Sequence, residues 1–283
     1  MDAVVIPVFN EEKTVKKIIE NVSNHCDLII VVNDASTDNT LEILNQIKNN
    51  KLVIINNKKN LGIGGATKKG ILKAQELGAV FIIKFDGDGQ HLESDIPQLL
   101  QLLKNNKFDF VKGNRFIGSY SDMPMIRVFA NLITTNLQKI VTGNYKISDP
   151  NNGLVGFNSI ILEKINIKYL RNDYFFENSF LLIANIFKLK VAEFSMKTIY
   201  GDEKSSVSLI RGSLKVIPVF IKMLYLKNYL NAKHNLSMSS LIFYVINILT
   251  VLKVTNLYDL ELIVIIFSIC IYFIIDVLNF LNE

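Results

Sequence analysis

Short apolar runs alternate with amphipathic stretches through roughly the first two hundred residues, and no other feature limits the fold as strongly. AVVIPV (Ala3–Val8), LIIVV (Leu28–Val32), LVII (Leu52–Ile55) and VFIIKF (Val80–Phe85) read as buried strands. Between them, EEKTVKKIIENV (Glu11–Val22), TDNTLEILNQI (Thr37–Ile47) and GGATKKGILKAQELG (Gly64–Gly78) carry helical spacing. Gly78 suits a left-handed helix cap. Shorter strands are expected at Val111–Lys112, Leu154–Phe157 and Val191–Phe194, and a helix over Met125–Gly143. Strands that alternate with helices imply an α/β domain whose mostly parallel sheet is covered on both faces. Ligands of such sheets bind beyond the carboxyl ends of the strands, so the polar residues that follow each strand are the ones to examine.

The pattern changes along the chain. At 283 residues there is length for a core of several layers without disulfides. The two cysteines, Cys26 and Cys270, lie far apart and form no disulfide framework, which fits a reducing compartment. Residues 1–206 read as the α/β domain. Residues 207–235 mix apolar side chains with Arg211, Lys215, Lys222, Lys227 and Lys233, as in interfacial helices lying on anionic lipid. Residues 236–283 hold two apolar runs of membrane length, about 236–253 and 260–281, read as a transmembrane hairpin. This tail accounts for a mean hydropathy of +0.28. No basic, apolar leader opens the chain, and basic residues crowd the near side of the hairpin. Both point to an integral membrane protein with its α/β domain on the cytoplasmic face. The net charge of +5 is concentrated beside the apolar spans, which indicates a lipid surface and not a nucleic acid. Two such helices can also pack against copies of themselves.

The strongest chemical signal is DGDGQH, Asp86–His91, directly after a strand. Residues i and i+2 at a strand end project to one side, so Asp86 and Asp88 can converge on one divalent cation. Hard carboxylate oxygens suit Mg²⁺ or Mn²⁺ bridging a diphosphate, and Gln90 can add an oxygen. A polar turn is the plain alternative. In NDASTD, Asn33–Asp38, Asp34 can accept hydrogen bonds from a base or ribose, while Ser36 or Thr37 can cap the next helix. In PVFNEE, Asn10 can cap the first helix and Glu11 can contact a base. The glycine-rich NLGIGGATKKG, Asn60–Gly70, can bring amides to a phosphate, but lacks both the dinucleotide fingerprint and a phosphate-loop Gly-Lys-Ser/Thr. Asp149 can serve as a base, orient an acceptor, or form only a turn. Asp173 and Glu177 stand at helical spacing in NDYFFEN, where Asp173 alone can be an N-cap. Arg115 and Arg127 are candidates for an acceptor phosphate, and His25 and His91 lack metal-ligand spacing.

Taken in order, IPVFNEE, VVNDASTDNT, NLGIGGA, DGDGQH, GNRF and DPNNGLVGF resemble the motifs of family 2 inverting glycosyltransferases with a GT-A fold. More narrowly, they resemble polyprenyl-phosphate (dolichyl-phosphate) sugar synthases, which often carry two C-terminal transmembrane helices. The resemblance implies a nucleotide-sugar donor and a polyprenyl or dolichyl phosphate acceptor at a membrane. It implies that Pro7, Phe9, Glu11 and Asp34 line the nucleotide pocket, with Asn10 beside them. Asp86, Asp88 and Gln90 would hold the metal and diphosphate. Arg115 and Arg127 would receive the lipid phosphate, and Asp149 would sit near the attacking acceptor. The segment Tyr200–Ser206 matches a mobile loop of relatives. Asn33 stands where many relatives have an aspartate, and Asn158 where many have arginine or lysine. The alternative within the family is extension of a glycan or glycolipid hydroxyl, which needs a stronger base; two spans are too few for a polymer channel.

Overall fold

The structure is a computed structural model, and it describes residues 1–105, 107–116, 135, 136, 138–144, 146–196, 219–227, 229 and 230. Arg127, Tyr200–Ser206, most of the Met125–Gly143 helix, most of the 207–235 segment and both apolar runs of the tail lie outside these residues. Among the described residues, no helix is long and apolar enough to cross a membrane.

The strands are β1 (Asp2–Val8), β2 (Leu28–Asn33), β3 (Leu52–Asn56), β4 (Phe81–Lys84), β5 (Phe110–Asn114), β6 (Val155–Asn158) and β7 (Val191–Ser195). The helices include α1 (Val15–Val22), α2 (Thr40–Gln46), α3 (Ile63–Glu76), α4 (Asp95–Lys104), α5 (Ile161–Lys164) and α6 (Phe176–Ile186). The strands form one seven-stranded sheet in the order β3-β2-β1-β4-β6-β5-β7. Among the described strands, only β6 runs against its neighbours β4 and β5; the other pairings are parallel. The expected mostly parallel α/β sheet is therefore present. The carboxyl ends of β1, β2, β4 and β5 and the amino end of β6 consequently meet at one edge.

Side-chain alternation divides the strands between two cores. Ala3, Val5, Ile30 and Val32 face α3 and α6, whereas Val4, Ile6, Ile29 and Val31 face α1, α2 and α4. On α1, Val15, Ile18, Ile19 and Val22 repeat at helical spacing, and all are buried. Ile96, Leu99, Leu100 and Leu103 do the same on α4, a helix not expected from the sequence.

Several local expectations are corrected. The first helix begins at Val15 instead of Glu11, because Asn10 turns through φ +59° and the Glu11 N–H donates to Thr40 Oγ1 at 2.8 Å. Asn10 does not cap that helix; its Oδ1 accepts from the Thr37 N–H at 2.8 Å, joining the loops after β1 and β2. Neither Ser36 nor Thr37 caps α2, which starts at Thr40, where Asp38 Oδ1 accepts from the Thr40 N–H. Asp173 is not the cap residue of α6; its carboxylate accepts from Phe175 N–H and pairs with Arg171. Gly78 does take the left-handed conformation after α3, at φ +80°.

Candidate active site

The DGD loop sits at the carboxyl end of β4, between the ends of β1 and β6. Thr14 Oγ1 donates to the Gly87 carbonyl at 2.8 Å and ties the loop to the start of α1. Asp88 Oδ1 accepts from the Gln90 N–H at 3.0 Å, a tight turn that fixes the loop's far side. Asp86 is held from two directions: Lys84 Nζ lies 2.6 Å from Oδ1, and His91 Nε2 lies 3.3 Å from Oδ2. His91 is buried and sets its ring edge-on to Phe85, with centroids 5.6 Å apart. Gly153 packs directly against this carboxylate, since a Cβ there would collide with Asp86 Oδ2.

Burial alone would raise the Asp86 carboxyl, but Lys84 and His91 outweigh it and hold the group far below the usual carboxylate range. Burial likewise pulls Lys84 down, and the charges of Asp86 and Glu177 more than offset it, leaving the ammonium above its ordinary value. Glu177, in the first turn of α6, receives Lys84 Nζ at 2.5 Å. The donor set of Asp86 and Asp88 fits a hard divalent cation: carboxylate oxygens two residues apart at a strand end, with Asp86 ionised and pinned. Among the described residues, no cluster of three His, Cys, Asp or Glu side chains is gathered as a metal cage.

A second centre lies across β6. Asp149 is buried at 1% exposure, and Arg115 grips it with Nε to Oδ2 and Nη2 to Oδ1, both at 2.8 Å. The Arg115 backbone N–H adds a third bond at 3.1 Å. The backbone N–H groups of Ser148 and Asp149 in turn donate to Glu193 of β7, each at 2.9 Å. Burial would raise the Asp149 carboxyl; hydrogen bonds and charge from Arg115, with the charge of Lys112, carry it below the usual range instead. A carboxylate so held is a weak base and a firm anchor for a guanidinium. Lys112, fully buried with its ammonium donating to the Asn152 carbonyl, is pushed down to about 8 by burial against the opposing charges of Glu177 and Asp149.

Around the ends of β1 to β3 the geometry is more occupied than the sequence suggests. The Asp34 carboxylate is buried and accepts from Asn57 Nδ2 at 2.7 Å and the Leu61 N–H at 2.9 Å, so it braces the glycine-rich loop. That loop's amides are largely spent inside the protein: Gly62 N–H on Asn60 Oδ1 and Gly65 N–H on the Asn172 carbonyl. Pro7 is buried within β1, whereas Phe9 is 46% exposed and Glu11 half-buried beside the DGD loop. The structure thus brings Pro7, Phe9, Asn10, Glu11, Asp34, Asp86, Asp88, Gln90, Arg115 and Asp149 to one sheet edge. Lys84, Glu177, Lys112, His91 and Glu193 are added to them. For the lysines a signal existed: each is a lone cation inside a strand whose neighbours are buried on both faces.

The chain is similar to known proteins over most of its length. Residues 3–170 match the family model described as glycosyl transferase family 2. A UDP-N-acetylglucosamine–dolichyl-phosphate N-acetylglucosaminyltransferase of Methanococcus voltae is 33% identical over 242 residues, covering 79% of this chain and 94% of that protein. A dolichyl-phosphate beta-glucosyltransferase of Trichomonas vaginalis is 25% identical, covering 75% of this chain and 69% of its own length. Among solved structures, glucosyl-3-phosphoglycerate synthase from Mycobacterium tuberculosis, in complex with Mn²⁺, UDP and phosphoglyceric acid, aligns with a TM-score of 0.61 at 18% identity. That alignment covers 79% of this chain and 78% of the other, and it supports the GT-A fold.

Proposed function

Because the chain belongs to glycosyl transferase family 2, and is thus a glycosyltransferase, we propose that it moves a sugar from a nucleotide-sugar to a polyprenyl or dolichyl phosphate, with inversion at the anomeric carbon. The observation that carries this reading is the pairing of two centres across β6: the acidic Asp86–Asp88 loop and an Arg115 guanidinium locked by Asp149. One suits a nucleotide diphosphate, and the other an anionic acceptor. The Methanococcus voltae relative supports a lipid-phosphate acceptor and puts UDP-N-acetylglucosamine first among donors to test.

In this reading Asp86 and Asp88, with Gln90, hold Mg²⁺ or Mn²⁺, which when bound neutralises charge on the departing diphosphate. Glu11, Phe9 and Asn10 border the nucleotide, and Asp34 keeps the glycine-rich loop in place behind it. Arg115 meets the acceptor phosphate, its plane set by the two Asp149 oxygens. Arg127, outside the described residues, is assigned to the same phosphate as a second cation. A lipid phosphate is already ionised near neutral pH, so the acceptor needs orientation more than deprotonation, and Asp149 supplies orientation through Arg115. The acceptor phosphate oxygen then attacks the anomeric carbon in line as the nucleoside diphosphate leaves.

The membrane part of the reading is supported by the helical residues 219–227, 229 and 230. Phe220, Met223 and Leu230 pack into the core, while Ile221, Tyr225 and Tyr229, spaced by four, stay exposed. A helix that keeps an apolar stripe outward, next to Lys222 and shortly before two apolar runs, suits a bilayer surface on the cytoplasmic side.

A transfer assay tests the whole. Full-length protein in detergent is given polyprenyl phosphate, Mn²⁺ or Mg²⁺, and labelled sugars on UDP and GDP. Label in an organic-soluble, mild-acid-labile product is expected, and Asp88→Ala should lower it by at least about a thousandfold. Donor turnover with no lipid product would move the acceptor to a glycan hydroxyl.

A further inference from the structure

A row of charged side chains crosses the sheet beneath the DGD loop. Lys84 on β4 and Lys112 on β5 are both direct partners of Val155 on β6. Side chains in register on neighbouring strands leave the sheet on the same face, here the face covered by α6. Both lysines are fully buried, and Glu177 descends onto them from the first turn of α6. Lys84 therefore stands between two carboxylates, 2.6 Å from Asp86 Oδ1 and 2.5 Å from Glu177 Oε1.

Burying such a triad costs several kcal/mol of ion desolvation, and apolar side chains of equal volume stabilise a core as well or better. Stability thus gives no reason for Glu177 to be ionic. Its effect on Asp86 does. With Lys84 alone behind it, Asp86 would have a complete counter-ion, and a cation arriving at the loop would compete with an ammonium already in place. Glu177 draws part of that ammonium's charge away. Three carboxylates, Asp86, Asp88 and Glu177, against the two ammonium groups of Lys84 and Lys112 leave one negative charge in excess; without the Glu177 charge none remains.

We propose that Glu177 is a positioning residue that acts through Lys84 to set the affinity of the Asp86–Asp88 loop for its divalent cation. The inference rests on the glycosyltransferase reading above, which assigns the cation to that loop. A unit charge a few ångströms from a divalent ion, in surroundings of effective dielectric about 20, suffices for at least about a tenfold change in binding.

The test is Mn²⁺ titration of the full-length protein in detergent, with free Mn²⁺ followed by electron paramagnetic resonance, without and with UDP. Glu177→Gln keeps the shape and still accepts from Lys84, but loses the charge; Mn²⁺ affinity should fall about tenfold or more. Acceptor KM should stay unchanged, and turnover should recover at saturating Mn²⁺. Glu177→Asp shortens the side chain but keeps the charge, and should bind Mn²⁺ within about threefold of wild type. Glu163→Gln, an equal charge loss at an exposed site, should change nothing. A role in shape alone gives the reverse order, with Asp harmful and Gln harmless; that order, or wild-type affinity in Glu177→Gln, overturns the proposal. If the wild-type protein binds no Mn²⁺ even with UDP, the cation assignment itself falls and takes this inference with it. Wild-type binding with an unaffected Glu177→Gln variant leaves the assignment standing.

Discussion

Asp149→Asn separates an orienting carboxylate from a proton-accepting one. Asparagine fits the same space, but removes the charge and turns an amide N–H₂ toward the guanidinium in place of one acceptor. Three bonds from Arg115 converge on the native side chain, at 2.8, 2.8 and 3.1 Å. Breaking a closed buried ion pair costs about 3–5 kcal/mol. The Arg115 side chain is 20% exposed and can turn to water, so the loss here should be nearer about 2–3 kcal/mol. For a domain of this size that is a drop of roughly 5–10 °C in melting temperature. The pH dependence has a definite sign. The folded-state value of Asp149 lies below the ordinary one, so its stabilisation is complete above about pH 4 and is lost as pH falls from there through the depressed value. The gap in melting temperature between wild type and variant should therefore be full at pH 7 and close progressively below about pH 4. Far-UV circular dichroism melts across pH measure it. On the kinetic side, acceptor KM should rise at least as much as kcat falls, because Arg115 loses its seat. A variant that melts with wild type, keeps its acceptor KM and loses kcat alone, with the acid limb of the rate profile abolished, would refute this reasoning and make Asp149 a general base.

Gly153→Ala sets a Cβ into the Asp86 carboxylate. It should displace Asp86 and lower transfer by at least about a hundredfold; Mn²⁺ binding should weaken in parallel, and undiminished Mn²⁺ binding would contradict the close approach of β6 to this loop. The Cys26 thiol is pushed up to about 12, chiefly by burial. In a Cys270→Ser background it should resist a thiol reagent at pH 8 while the protein is folded and react fully in denaturant; rapid labelling of folded protein would show the region between α1 and β2 to be open.

The strands, and the sheet edge at which the polar loops gather, are legible in the sequence because burial on both faces forces continuous apolar runs. The DGD loop stands out for the same reason, as acid placed immediately after such a run. The ion pairs are not legible, since their partners are remote along the chain: Lys84 and Glu177 are 93 residues apart, and Arg115 and Asp149 are 34 apart. Asn10, Ser36 and Thr37 look like helix caps because cap and cross-loop bonds use the same side-chain types. Which bond forms depends on how closely the loops after β1 and β2 approach, and here Thr37 and Ser36 answer Asn10 instead of their own helices. For α4 the failure is different: its apolar spacing was present at 96, 99, 100 and 103, and Pro97 near its start is compatible with a first helical turn.

The reversed strand β6 explains how the Asp86 and Arg115 centres share one edge without merging. A parallel strand in that position would begin at the opposite edge and send its preceding loop away from the site. Running backwards, β6 starts at the active edge, so Asp149, Asn152 and Gly153 arrive between Asp86 and Arg115. Gly153 contributes no side chain where the Asp86 carboxylate needs the space, and Asp149 turns toward Arg115 on the other side. One loop therefore stands between the ion pairs of Asp86 and of Arg115. Lys84 and Lys112, in register on either side of Val155, give each carboxylate a positive neighbour beneath the sheet edge, and Glu177 faces both lysines from α6. The charge of this edge is therefore set less by its exposed loops than by a strand direction and a buried row of alternating charge.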